Sequence, residues 1–156
     1  MSHNILFLCT GNSARSQMSE ALLRQHAGER FAVFSAGTEP RNEVFPPVIE
    51  VMREIGIDIS NQKPKGVELY LNKIHFEIVI VVCAAAEEKC PSIFGSYQKL
   101  FWPFEDPTAA TSPKEEVLDI CRRIRDQIDT KICEWLREQG IPAQPLFIAD
   151  TDTSRT

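Results

Sequence analysis

Cys9-Thr10-Gly11-Asn12-Ser13-Ala14-Arg15-Ser16 places a thiol and a guanidinium six positions apart, between an apolar run and a helical pattern. The chemistry open to such a pair is nucleophilic attack on a tetrahedral oxyanion. Gly11 and Asn12 tolerate positive φ, so the backbone can curl and aim successive N–H groups inward. The helix that follows adds the positive end of its dipole. Arg15 then grips two oxygens with a bidentate fork. Thr10, Gly11, Asn12, Ser13, Ala14, Arg15 and Ser16 thus form the expected oxyanion cradle, with the Cys9 sulfur beneath the anion. The same donors favour thiolate over thiol, which activates Cys9 as the nucleophile. The Ser16 hydroxyl is placed to hydrogen-bond that sulfur.

Three further residues have types that could join this chemistry. Cys83 and Cys90 are thiols seven positions apart, and Asp106 stands before Pro107, a step that holds the chain in an extended turn. The spacing of Cys83 and Cys90, with only His75 near in sequence, does not fit a zinc site, and neither metal nor cofactor is expected. Cys121 falls on the buried stripe of a long helix and Cys133 projects away from it, so both read as bystanders.

These residues have to be positioned by an alternation of strands and helices. Ile5 to Cys9 is a continuous apolar run suited to a buried parallel strand. Ala14 to Ala27 turns helical, Phe31 to Ala36 is a second strand ended by Gly37, and Pro46 to Ile55 is a helix closed by Gly56. A short helix is expected over Val67 to Asn72. Phe76 to Cys83 is β-branched almost throughout and predicts a third strand. A helical turn or two follows over Ala84 to Lys89, then a last strand over Lys99 to Phe104. Ser112-Pro113-Lys114-Glu115 predicts a helix start, with Ser as cap, Pro at the first position and Glu completing a capping box. Its buried stripe is Val117, Cys121, Ile124, Ile128, Ile132 and Trp135, and Gly140 and Pro142 end it. Such an order implies an α/β domain with a parallel sheet and helices on both faces. Ligands of these sheets sit beyond the carboxyl ends of the strands, where Cys9, Cys83 and Asp106 all fall.

The chain has 156 residues, enough for one domain; residues 1–140 read as catalytic and 141–156 as a mobile tail. Acidic residues outnumber basic ones, 22 to 17, and the net charge of −5 opposes nucleic-acid binding. The apolar run near the N-terminus is too short for a signal core or a membrane span. Five cysteines, an odd number without such a signal, point to a reducing cytoplasm in which any disulfide is catalytic.

The loop from Cys9 to Ser16, so close to the N-terminus, resembles that of the low-molecular-weight tyrosine phosphatase superfamily. Cys-Thr-Gly-Asn-Ser followed by Ala-Arg-Ser-Gln-Met is similar to its thioredoxin-coupled arsenate reductase branch. The likeness continues through Ser35-Ala36-Gly37, Gly56-Ile57-Asp58-Ile59-Ser60, Cys83 with Cys90-Pro91, and Trp102-Pro103-Phe104 before Asp106-Pro107. The resemblance implies a single-domain, three-layer αβα fold with a four-stranded parallel sheet in the order 2-1-3-4. The strands ending at Cys9 and Cys83 would then be neighbours, about 5 Å apart. It implies Asp106 as the general acid and a relay in which Cys83 attacks arsenylated Cys9 and Cys90 resolves the Cys9–Cys83 disulfide. Arsenate would be the substrate, phosphate and sulfate competing oxyanions, thioredoxin the reductant, and the protein a monomer. Seven helical residues rise about 10 Å whereas disulfide-linked Cα atoms lie within about 7 Å, so the 84–89 segment would have to unwind on oxidation.

Three positions depart from relatives. Ala14 replaces a loop cysteine that the relay does not use. Thr108-Ala109-Ala110 stand where phosphotyrosine phosphatases usually carry tyrosines, which favours a small inorganic anion. Some relatives bind potassium through residues matching Asn12, Glu20, Ser35 and an acidic residue at position 65. Here Lys65 stands at that position, and its ammonium is read as replacing the ion, pairing with Glu20 and fixing Asn12. The competing readings are a low-molecular-weight phosphotyrosine phosphatase, for which Cys83 and Cys90 would be dispensable, and a phosphate-binding thiol switch, which would not need a positioned acid.

Overall fold

A computed structural model of the chain describes residues 3–87 and 97–146. Four strands, β1 (His3–Cys9), β2 (Phe31–Gly37), β3 (Ile78–Val81) and β4 (Gln98–Phe101), form one parallel sheet in the order β2-β1-β3-β4. The helices are α1 (Arg15–Ala27), α2 (Pro46–Glu54), α3 (Ala84–Glu87) and α4 (Lys114–Glu138). The apolar run of β1 is buried from Ile5 to Cys9 because both faces of this central strand are covered. On one face Phe31 stacks against Trp135 of α4, and Ser35 hydrogen-bonds Glu20 of α1. On the other, Phe34 meets Tyr70 and Phe76 edge-on, from the stretch between α2 and β3. Among the described residues no helix is long and apolar enough to cross a membrane.

Register explains why the strand ends converge. Cys9 pairs with Gly37 and Leu8 with Val81, so the carboxyl ends of β1, β2 and β3 lie in one row. β3 is shorter than the apolar run that predicts it. Phe76 spends its ring on the cluster with Phe34 and Tyr70, and the ladder to β1 runs only from Ile78 to Val81. β4 likewise stops at Phe101, before Pro103, which has no N–H for a ladder.

α2 ends as expected at Gly56, whose φ of +85° suits the left-handed stop. The expected 67–72 helix is only a 3-10 turn, Val67–Leu69. At α4 the capping box does not form. Pro113 itself occupies the cap with φ −55° and ψ 155°, so Ser112 falls outside the helix and makes no capping bond. Glu115 and Glu116 in the first turn complement the dipole instead. The predicted stripe of α4 is buried throughout, but it is wider than expected. α4 packs against both α1 and α2, so Arg125 is buried on one flank and Asp129 and Cys133 on the other. Cys133 therefore does not project away from the core: it is fully buried.

Candidate active site

The loop between β1 and α1 is shaped by where its carbonyls go. The Cys9, Thr10 and Gly11 carbonyls accept hydrogen bonds from the N–H groups of Thr38, Glu39 and Arg41 at 2.9–3.0 Å, and Ser13 from that of Phe45 at 2.8 Å. In a trans peptide the N–H points opposite its carbonyl, so the amides of Thr10, Gly11, Asn12 and Ala14 are turned inward. The Asn12 N–H points at Cys9 Sγ, 3.1 Å away. The left-handed residue of the loop is Asn12, at φ +49°, while Gly11 is not among the positive-φ positions. Gly11 serves a different need: a Cβ there would lie 3.1 Å from Arg41 Nε, so its bareness lets Arg41 cross the loop. Gly37 is bare for a stricter reason, since a Cβ would come within 2.4 Å of the Thr10 carbonyl oxygen.

Cys9 is buried at the foot of a cavity of about 550 Å³. The loop from Cys9 to Arg15 forms its floor, Phe104, Asp106 and Thr108 contribute one wall, and Glu39, Arg41, Ala84 and Ala85 complete the rim. Ser16 lies beneath, fully buried, with Oγ 2.9 Å from Cys9 Sγ. The Asn12 amide donates to Ser16 Oγ at 2.7 Å and to Ser35 Oγ at 3.0 Å, and Ser35 donates to Glu20. Asn12 Oδ1 accepts from the Lys65 N–H at 2.7 Å and from Gln17 Nε2 at 2.9 Å. Lys65 thus fixes Asn12 through its backbone, not its ammonium. Its Nζ lies 3.6 Å from Glu20 Oε1 and 3.2 Å from the Lys63 carbonyl.

The thiolate expected of Cys9 meets opposition here. Burial pushes the thiol up and the neighbouring Cys83 adds to the rise, while the Ser16 hydroxyl, the Asn12 N–H and Arg15 pull down. The net direction is upward, because a sulfur anion with almost no exposed surface forfeits its hydration.

Arg15 Nη1 donates to the Phe104 carbonyl at 3.0 Å and Nη2 lies 3.7 Å from Asp106 Oδ2, which sets its fork across the cavity from the loop amides. Asp106 caps the 3-10 turn Pro107–Ala109: Oδ1 accepts from the Thr108 N–H at 2.9 Å and its hydroxyl at 2.7 Å, leaving Oδ2 toward Arg15. Cys83, two residues beyond the last rung of β3, is buried with Sγ 3.4 Å from Thr10 Oγ1. The structure thus brings together Cys9, the loop, Arg15, Asp106 and Cys83; Cys90 lies outside the described residues. Sequence reasoning overlooked Arg41 and Glu39. The signal was available in the topology, because the segment following β2 must pass beside the end of β1.

The model of the low molecular weight phosphotyrosine protein phosphatase family matches residues 4–145. An arsenate reductase of Bacillus subtilis is 38% identical over 132 residues, 84% of this chain and 93% of its own. Among solved structures, an arsenate reductase in the phosphate binding state is 29% identical, with a TM-score of 0.73 over 87% of this chain and 98% of that one. A thioredoxin-dependent arsenate reductase of Corynebacterium glutamicum is 27% identical, with a TM-score of 0.63 over 89% of this chain and 62% of that one. A buried Cys–Arg loop at the end of the central strand, an Asp-Pro wall and a family match over nearly the whole chain lead to one assignment: the protein belongs to the low molecular weight phosphotyrosine protein phosphatase family.

Proposed function

We propose that the chain reduces arsenate to arsenite, with Cys9 as nucleophile and Cys83 and Cys90 as the thiols that carry its oxidation away. The observation that carries this reading is the second buried thiol beside the first: β3 pairs with β1, and Cys83 Sγ touches the loop at Thr10 Oγ1, 3.4 Å away. A hydrolase has no need of it. The arsenate reductases at 38% identity support the same chemistry.

Arsenate sits on the inward amides with Arg15 on two of its oxygens. The Cys9 thiol proton passes to an oxygen of the bound arsenate dianion, which leaves Cys9 as a thiolate held by the Ser16 hydroxyl and the Asn12 N–H. Cys9 Sγ bonds to arsenic, and Asp106 protonates the departing hydroxide so that it leaves as water. Cys83 then attacks Cys9 Sγ. The sulfur–arsenic bond breaks, its electron pair stays on arsenic, and arsenite leaves behind a Cys9–Cys83 disulfide. Cys90 attacks Cys83, which frees Cys9 and moves the disulfide to Cys83–Cys90. Thioredoxin, by the likeness to the Corynebacterium glutamicum protein, reduces that bond. The polar Thr108 at the Asp106 wall suits a small inorganic anion. We place the protein as a monomer in the reducing cytoplasm, residues 1–140 being its catalytic domain.

The test is arsenate-dependent NADPH oxidation with thioredoxin and thioredoxin reductase, comparing wild type with Cys90→Ser. Turnover that the substitution abolishes is expected. Absent arsenate turnover, with equal cleavage of a phenyl phosphate by both proteins, would make the chain a phosphatase with incidental cysteines.

A further inference from the structure

We propose that His26, Asp129 and Cys133 form a binding site for a divalent, zinc-like cation at the end of α1 remote from the reactive loop. The three side chains converge in the packing between α1 and α4. His26 Nε2 lies 2.6 Å from Asp129 Oδ1 and 3.6 Å from Cys133 Sγ. The donor atoms of all three lie within 4.8 Å of one another. The imidazole is 6% exposed, and Asp129 and Cys133 are fully buried.

Both partners meet the same imidazole nitrogen. A nucleophile–base–carboxylate relay needs the two opposite ring nitrogens, so this cluster is not a second catalytic centre. Three different donors aimed at one point is the arrangement of a coordination site. Tetrahedral zinc bonds of ordinary length separate sulfur from nitrogen by roughly 3.6 Å and nitrogen from oxygen by roughly 3.3 Å. The sulfur–nitrogen pair already stands at that spacing, and the nitrogen–oxygen pair, at 2.6 Å, must open by roughly 0.7 Å. Binding replaces the thiol proton with metal and leaves imidazole protonated at Nδ1 only. Thiolate and carboxylate together cancel the dication, so the filled site carries no net charge into the interior. His26 borders an open surface pocket with Glu29, Arg24 and Arg30, the side from which an ion would approach. Asp129 Oδ2 also accepts from the Leu146 N–H at 2.5 Å, so its second oxygen is already oriented. A bound ion would join α1, α4 and the chain beyond α4 at one point.

The experiment titrates the reduced full-length protein with Co²⁺ as a spectroscopic probe and with Zn²⁺. One equivalent should bind with a single thiolate-to-cobalt charge-transfer band. Cys133→Ser should remove the band and weaken binding by more than about a hundredfold, beyond the loss typical of an outer partner. His26→Gln should weaken it too, while Cys9→Ser and Cys83→Ser leave it unchanged. A band that survives Cys133→Ser but is lost in Cys9→Ser or Cys83→Ser would assign the metal to the reactive thiols and overturn the proposal. So would failure to bind one equivalent. Should the Cys133 variant not fold, X-ray absorption on zinc-loaded wild type decides. One sulfur with one imidazole supports the site, and two or more sulfurs refute it.

Discussion

The Asn12 side-chain amide reaches Ser16 Oγ at 2.7 Å and thereby governs where the Ser16 hydroxyl proton points. Asn12 Oδ1 is committed to the Lys65 backbone N–H, which can only donate, so Asn12 must present its NH₂ to Ser16 and Ser35. Ser16 Oγ accepts from it and turns its own proton to Cys9 Sγ at 2.9 Å. Ser35 by the same logic donates to Glu20. The polarity of a main-chain amide 56 residues away in sequence is thus transmitted to the Cys9 sulfur.

Ser16→Ala removes a side-chain hydrogen bond that stabilises ionised Cys9. A hydrogen bond to a charged group is worth about 1.5–3 kcal/mol, so arsenate turnover near neutrality should fall by about 10–100-fold. Without the donor the thiol rises further. The pH profile of iodoacetamide alkylation at Cys9 should therefore shift to higher pH than wild type, and an unshifted profile would remove Ser16 from the activation of Cys9.

Asp106→Asn keeps an oxygen for Thr108 but has no proton to give the leaving group. Single-turnover arsenate reduction should drop by about 10²–10⁴-fold, while Cys9 alkylation stays near wild type. Thr108→Val, which deletes the hydroxyl 2.7 Å from Asp106 Oδ1, should cost only about fivefold.

Lys65 places an ammonium 3.6 Å from Glu20 Oε1, where it can stand in for a monovalent cation. Wild-type turnover should differ by less than about twofold between potassium and sodium chloride at equal ionic strength. Lys65→Glu should create dependence on potassium. Strong activation of the wild type by potassium would mean that the ammonium does not replace the ion.

Gly37→Ala forces a methyl to within 2.4 Å of the Thr10 carbonyl and 3.0 Å of the Asn12 nitrogen. Backbone must move, at a cost of about 1–3 kcal/mol, which lowers Tm by roughly 3–10 °C. Because the displaced atoms belong to the loop proposed to hold the anion, KM for arsenate should also rise. Thermal melts and steady-state kinetics check the two effects separately.

The alternation of strands and helices, the loop and the placement of Cys9, Cys83 and Asp106 at strand ends were legible because each rests on local chemistry: an apolar run, a turn residue, an Asp-Pro step. The strand order was legible only through the family resemblance. What was hidden depends on packing between distant elements. Cys133 looked peripheral because it lies about 100° from Ile132 around the helix, and only the docking of α1 makes that flank interior. The Ser112 cap failed because Pro113 took the cap position. Arg41 sits in an unpatterned connection, and only the adjacency of β2 to β1 brings it to the cavity. The upward push on Cys9 was invisible for the same reason, since burial is a property of the assembled core.

The outward carbonyl bonds from Cys9, Thr10, Gly11 and Ser13 to the stretch between Thr38 and Phe45 have a further consequence for transplantation. The eight-residue signature is not an autonomous anion receptor. Its concavity is a cast taken from the β2–α2 connection, so a peptide or a foreign scaffold bearing only the signature would present its amides in every direction. The smallest portable unit is the signature together with its mould, and an insertion anywhere between Thr38 and Phe45 would deform a cavity floor whose own residues are untouched.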